Sequence, residues 1–145
     1  TFQDNMDLSL FYDQESRKFS EHGYIGLYKD KSIRAIGKLK KTIIAVEVEG
    51  KMTYRAESGE APTPDEICRI NEAIRRAEDY GYNLRTISHR YFMVEKFYPI
   101  DFRKSSKNPI QKSKFFNLAD MFGYKTMPDT EKIAADLNGR TWEEF

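Results

Sequence analysis

The stretch from Phe102 to Phe116 carries residues whose types and spacing suit phosphate binding. It holds five positive charges and no negative one: Arg103, Lys104, Lys107, Lys112 and Lys114. The polar residues between them can all donate hydrogen bonds to phosphate oxygens: Ser105, Ser106, Asn108, Gln111 and Ser113. Since lysine and arginine neutralise phosphate charge and so supply most nucleic-acid affinity, we expect this segment to be a phosphate-binding loop.

Positive charge is concentrated in two blocks, although the net charge of the 145 residues is only +1. Residues 29–41 hold six Lys or Arg against one acid, and residues 85–115 hold eight against two. From these blocks we add Arg34, Lys38 and Arg90 to the candidate phosphate ligands. Phe102 and Tyr98 flank the loop, and aromatic faces of this kind stack on bases in single-strand binding proteins. The pattern favours a non-catalytic module that binds nucleic acid or nucleotide phosphate, with no cofactor and no metal.

A second hypothesis is a Mg²⁺-dependent nuclease. Glu49-Gly50-Lys51 follows an apolar strand and resembles the (D/E)-x-K half of the PD-(D/E)xK nucleases. That resemblance implies carboxylates that hold Mg²⁺ and a lysine that stabilises developing charge. The candidates are Asp30, Glu47, Glu49 and Lys51. The tip of a β-hairpin explains the same letters.

A third hypothesis is a protein-interaction domain whose basic loop meets an acidic partner. Runs of charge are also common on solvated surfaces, where they bind nothing. Other domains of the same protein are possible partners, because the chain begins with Thr1 and so resembles a piece of a longer one.

Length and composition indicate one domain over residues 1–145. The longest aliphatic run is Ile43-Ile44-Ala45-Val46, too short to span a membrane. The single cysteine, Cys68, cannot form an internal disulfide and suits a cytoplasmic location. Its place beside an apolar stripe predicts a small buried residue.

Alternation of apolar and polar residues predicts four strands, at 24–28, 33–39, 43–49 and 52–56. They would form an antiparallel meander, with Lys40-Lys41 as a polar break. Residues 1–23 are expected to be an edge strand or a flexible arm. Thr63, Pro64 and Glu66 predict a helix start, with a helix over residues 63–80 ended by Gly81. A strand over 87–97, an irregular 102–116 and a short helix over 128–137 complete the chain.

These elements predict an α+β fold: a twisted, partly closed, barrel-like antiparallel sheet with one main packed helix and a short C-terminal helix. Ile44, Val46 and Val48 are expected to share the buried face of their strand. Phe115, Phe116 and Phe122 should join the core, and Trp142 should anchor the C-terminus. The full predicted core is Ile33, Ile44, Val46, Val48, Ile67, Ile70, Ile74, Phe92, Val94 and Phe116.

Two strands and the helix between them resemble the PUA-like superfamily, the group of EVE, ASCH and YTH domains. The strands are Ile33-Arg34-Ala35-Ile36-Gly37-Lys38 and Arg90-Tyr91-Phe92-Met93-Val94. The resemblance covers at most residues 24–116. It implies a small barrel that binds RNA or modified bases, and no pocket residues are carried over from it.

Overall fold

The protein has the predicted α+β fold, built on an antiparallel five-stranded sheet. The structure, a computed structural model, describes residues 1–17, 22–110 and 114–145. The strands are β1 (Leu10–Gln14), β2 (Tyr24–Lys29), β3 (Ser32–Val48), β4 (Lys51–Ala56) and β5 (His89–Arg103). The helices are α1 (Phe2–Leu8), α2 (Pro64–Asp79), α3 (Leu118–Phe122) and α4 (Thr130–Leu137), followed by a 3₁₀ turn at Trp142–Glu144. The sheet order is β1-β5-β3-β2, and β4 also pairs with β3.

Two compact units share the chain. Unit 1 comprises Thr1–Ile25 and Gly37–Phe97, and unit 2 comprises Gly26–Ile36 and Tyr98–Phe145. Each unit is therefore assembled from two separate segments. The expectation of a single domain stays a prediction.

The helix α2 begins at its predicted cap. Thr63 accepts a hydrogen bond from the Glu66 backbone N–H at 3.2 Å, and the Glu66 carboxylate accepts one from the Thr63 N–H at 2.8 Å. This reciprocal capping box satisfies two backbone donors that would otherwise lack partners, and Pro64 follows at the first helical position. The helix therefore starts where local sequence places it.

The core of unit 1 lies between α2 and one face of the sheet. Ile70 and Ile74 from α2 pack with Ile43 of β3, and Tyr91 and Met93 of β5 belong to the same cluster. The register of β1 on β5 pairs Leu10 with Met93, which adds Leu10 to it. Residues 10–14 thus form the expected edge strand, whereas the helix α1 was not predicted.

The predicted face of β3 was partly wrong. Ile43 and Ala45, not Ile44 and Val46, belong to the cluster that includes α2. Ile44 is buried as well, but Val46 is half-buried and Val48 is 52% exposed. Of the other predicted core residues, Ile70, Ile74, Phe92 and Val94 are buried, and Ile33, Ile67 and Phe116 are half-buried. Alternation of residue types did not identify the face against which the helix packs.

The predicted break at Lys40-Lys41 does not exist, because both residues lie inside β3. The Lys41 ammonium donates to the Glu66 carboxylate at 2.8 Å, and both side chains are almost covered. Burial raises the pKa of Glu66, but hydrogen bonds from Lys41 and Thr63 outweigh it and hold the pKa below its ordinary value. The buried ion pair allows a lysine to stand within the strand. Cys68, expected to be buried, is exposed.

Close approach of two strands requires glycine at position 37. A Cβ there would lie 2.9 Å from the Phe97 ring and 3.0 Å from the Lys96 carbonyl oxygen. The first distance is shorter than real Cβ contacts and the second is tighter than most, so the Phe97 ring or the neighbouring backbone of β5 would have to shift to admit a side chain.

Unit 2 has an aromatic core. Phe102 is 1% exposed, and its ring lies 5.3 Å from that of Phe116 and 6.3 Å from that of Trp142. Trp142 donates its indole N–H to the Phe102 carbonyl at 2.8 Å, which confirms it as the C-terminal anchor. Ile133 and Leu137 of α4 are buried in unit 2 as well. Phe115, expected to join this core, is 57% exposed.

Candidate anion-binding site

The candidate site includes a tight turn whose two residues have an uncommon backbone conformation. Asp30 and Lys31 connect β2 to β3, and both have positive φ, 52° and 60°. A two-residue turn of this kind matches the twist of the strands but is unfavourable for residues with a side chain, above all for lysine. A residue with a side chain keeps such a conformation when contacts from the surrounding structure hold it there.

Those contacts come from the basic loop after β5. The Lys104 backbone N–H donates to the Lys31 carbonyl at 2.8 Å, and the Lys31 ammonium donates to the Lys107 carbonyl at 3.2 Å. The turn from the first basic block and the loop from the second are therefore adjacent. Sequence alone did not show this adjacency.

The carboxylate of Asp101 contacts two arginines of the candidate site. Asp101 accepts a hydrogen bond from the buried Ser32 hydroxyl at 2.6 Å, and it lies 3.5 Å from the Arg34 guanidinium and 3.6 Å from that of Arg103. The Ser32 hydrogen bond is the main reason that the pKa of Asp101 lies below its usual range, and the two arginines lower it further. Arg34 also donates to the Lys29 carbonyl at 3.0 Å.

We call these residues of unit 2 the basic cluster: Lys31, Arg34, Arg103, Lys104 and Lys107. Arg103 and Lys107 are exposed, and the other three are half-buried. Lys31 and Lys104 donate to neutral acceptors, a carbonyl and the Ser106 hydroxyl, and such contacts leave their charge uncompensated. A surface of this kind attracts anions.

The loop of the basic cluster binds a carboxylate of the protein itself. The Glu143 carboxylate accepts the Ser105 backbone N–H at 2.7 Å and the Ser105 hydroxyl at 2.6 Å. These two bonds, and one from the Ser106 side chain, lower the pKa of Glu143 to about 2. The loop can thus bind an oxyanion through a backbone N–H and hydroxyl groups.

The other predicted phosphate ligands lie outside the basic cluster. Lys38 is exposed in unit 1. Arg90, also in unit 1, forms a two-point ion pair with the Glu57 carboxylate at 2.7 and 3.0 Å and is almost covered. Because that carboxylate neutralises it, Arg90 is a poor phosphate ligand. Lys114 is exposed 5.5 Å above the Phe116 ring, and Lys112 lies outside the described residues.

Phe102 cannot stack on a base. It is the most deeply placed ring of the unit 2 core, and its predicted role was wrong because aromatic character near a basic loop does not reveal burial. Tyr98 is half-buried in unit 2, and its stacking role stays a prediction.

The residues of the nuclease hypothesis lie in or beside the turns on either side of β3. Glu49 and Gly50 make the two-residue turn between β3 and β4, with φ of 52° and 80°, so the hairpin explanation of these letters holds. Asp30 precedes β3 and Lys51 begins β4. Within residues 1–17, 22–110 and 114–145, Asp30, Glu47 and Glu49 belong to no group of carboxylates, histidines or cysteines that could hold a metal ion.

Sequence reasoning overlooked Lys31 and Glu143. The Asp30-Lys31 dipeptide between two strands was a signal for a tight turn, but not for what the turn contacts. Glu143 lies in an acidic segment, and nothing local relates it to a loop so far away in sequence. Both residues matter only through tertiary contacts.

Comparisons with protein-family models, with curated proteins and with solved structures found no match. Among the described residues, no helix is both long and apolar enough to cross a membrane. The candidate site therefore rests on geometry and charge.

Proposed function

We propose that the protein is a non-catalytic module that binds nucleic acid or nucleotide phosphate through the basic cluster. The contact of Lys31 with Lys104 and Lys107 carries the proposal, because it joins both basic segments at one place. The cytoplasmic location suggested by the single free cysteine, Cys68, is part of the proposal. The PUA-like resemblance stays a prediction.

Phosphate contact is the expected source of affinity. Arg103 and Lys107 offer exposed cations for phosphate oxygens. Lys114 and Lys112 follow in the chain as further candidates. Since phosphates are common to all sequences, binding should show little base preference.

Binding to labelled single-stranded RNA and DNA, measured by fluorescence anisotropy at several salt concentrations, tests the proposal. Two to four phosphate contacts should give a slope of log K against log salt of about −1.5 to −3, at ~0.7 per contact. Arg103→Ala combined with Lys107→Ala should reduce the steepness by ~1.4, since two contacts are lost. Lys107→Ala keeps the carbonyl that Lys31 uses.

Lys51→Ala combined with Lys125→Ala is the matched control. It removes the same charge from two exposed lysines outside the basic cluster and should leave the slope unchanged. Equal loss in both double variants would mean that binding depends only on net charge, and the proposal would fail. Tighter binding of an acidic peptide than of RNA of equal charge would favour the protein-interaction hypothesis instead.

A further inference from the structure

The contact between Ser105 and Glu143 resembles an occupied anion site in which the bound anion is the carboxylate of Glu143 itself. Two donors of Ser105, its backbone N–H and its hydroxyl, converge on one carboxylate, and the Ser106 side chain is close enough to lower the pKa of that carboxylate as well. Lys104, which donates to the Ser106 hydroxyl, places a positive charge beside them. Backbone N–H groups and hydroxyls next to a lysine are also the ligand set of protein-bound phosphate.

The position of Glu143 is imposed by its neighbour. Trp142 is 7% exposed and hydrogen-bonded to the Phe102 carbonyl, so the backbone at 142 is fixed in the core of unit 2. Glu143 itself is exposed, and its side chain extends from this anchor to the loop. An exposed side chain can leave its partners without disturbing the core, as a displaceable ligand must.

We propose that Ser105 and Ser106 form a phosphate subsite, that Glu143 occupies it in the free protein, and that a phosphate group of the ligand displaces this carboxylate. The inference rests on the proposed function for the identity of its ligand. It adds a specific subsite, and it makes Glu143 an internal competitor that weakens binding.

The size of the effect follows from the fraction of time that the subsite is open. A ligand that binds only the open form has its affinity reduced by that fraction. If Glu143 fills the subsite in about 80–90% of molecules, its removal should tighten binding about 5- to 10-fold.

Glu143→Gln is the decisive variant, because it keeps the shape of the side chain and removes the charge that competes with phosphate. Glu131→Gln is the matched control, since it removes one negative charge from an exposed position of α4, also in unit 2. Titration with inorganic phosphate is followed by the NMR shift of the Ser105 backbone amide. RNA affinity is measured in parallel, and a thermal melt checks that each variant folds.

We expect the Ser105 amide of Glu143→Gln to respond at about 5- to 10-fold lower phosphate than that of the wild type or of Glu131→Gln. RNA affinity should rise by a similar factor. Adding Ser105→Ala to Glu143→Gln should reverse the gain, because a donor to the phosphate is lost. Glu143→Asp, whose side chain is one methylene shorter, serves as the second variant if the glutamine variant is unstable.

The outcomes separate this inference from the proposed function. If Glu143→Gln binds phosphate no better than Glu131→Gln, Glu143 is only a structural contact and the inference is wrong, whatever the wild type does with RNA. If the Ser105 amide responds as expected but RNA does not bind, the subsite stands and the proposed ligand is wrong.

Discussion

The charged surface of α2 in unit 1 and the basic cluster of unit 2 differ in how many of their cations are paired with carboxylates. On α2, Arg75 and Arg76 both pair with Glu72, and Arg76 also contacts Asp4 and Asp7 of α1 at 3.1 Å. In the basic cluster, Lys31 donates to a carbonyl and Lys104 to a hydroxyl. Carboxylates pair with both α2 arginines. In the basic cluster Asp101 pairs with Arg34 and Arg103, whereas Lys31 and Lys104 are held by neutral acceptors that do not cancel their charge.

The difference shows that a count of basic residues is a poor guide to anion binding. An arginine paired with carboxylates contributes to stability and little to the external field, as Arg90 also illustrates through its two hydrogen bonds to the single carboxylate of Glu57. A lysine that donates to a carbonyl keeps its full charge available. The experiments below test whether the two regions differ in this way.

The largest expected effect comes from Phe102→Ala. If the basic cluster depends on a packed aromatic core, removal of this fully buried ring should lower the free energy of unfolding by ~3–5 kcal/mol. Urea unfolding followed by tryptophan fluorescence measures it, since Trp142 lies beside the ring.

Phe115→Ala is the matched control, because Phe115 lies in the same part of the chain but is 57% exposed. It should change the free energy of unfolding by no more than ~0.5 kcal/mol. Equal, small losses in both variants would contradict the burial of Phe102 and restore its interpretation as a stacking platform.

An intermediate effect is expected from Lys41→Ala in unit 1. It removes the cation from a nearly covered pair and leaves Glu66 with its capping bonds alone, which should cost ~1–3 kcal/mol of stability. Lys40→Ala, one position earlier and exposed, should stay within ~0.5 kcal/mol. Equal midpoints of chemical unfolding for the two variants would mean that ion pairing does not distinguish these lysines.

The smallest effect concerns the pH dependence of the α2 surface. Hydrogen bonds from Arg75 and then Arg76 lower the pKa of Glu72 from 4.5 to about 2. A carboxylate with a lowered folded pKa stabilises the fold above its unfolded pKa, and this contribution is lost as pH falls from about 4.5 to about 2. Glu72→Gln should therefore be less stable than wild type near neutral pH, and the difference should shrink as the pH falls below about 4.5 and disappear only below about 2.

Glu60→Gln, in the exposed loop before α2, controls for loss of a surface carboxylate. Thermal melts across the acid range give the comparison. A difference between wild type and Glu72→Gln that persists unchanged at the lowest pH would show that packing, not charge, is what the glutamine disturbs.

Sequence patterns correctly predicted structure where the residues that determine it are close together in the chain. Thr63, Pro64 and Glu66 form a capping box within four residues, so the start of α2 was predictable. The break at Lys40-Lys41 was wrong because the partner of Lys41 is Glu66, which is distant in sequence. Residue type alone cannot distinguish a lysine in a loop from one paired inside a strand.

The same limit applies to the candidate site. Charge segregation pointed to residues 29–41 and 103–114, but not to which cations remain uncompensated. The charge pattern predicts Arg90 as a phosphate ligand, but Glu57 neutralises it. It does not predict Lys31, whose ammonium contacts the basic loop at the Lys107 carbonyl. Whether a cation is paired depends on which residues the strand register and the path of the chain bring beside it. Composition does not show either of these.

Unit 2 is built from two segments that are far apart in the sequence, and this affects how the unit folds during synthesis. Gly26–Ile36 leaves the ribosome long before Tyr98–Phe145, the segment that completes the unit. At ~5–20 residues per second, the wait is on the order of ten seconds. During that interval the core of unit 2 is incomplete. Leu27 and Ile36, which are only 3% and 5% exposed in the folded protein, cannot yet be buried in it. A chain stalled on the ribosome after Phe97 should therefore expose apolar side chains of this segment, which favours aggregation.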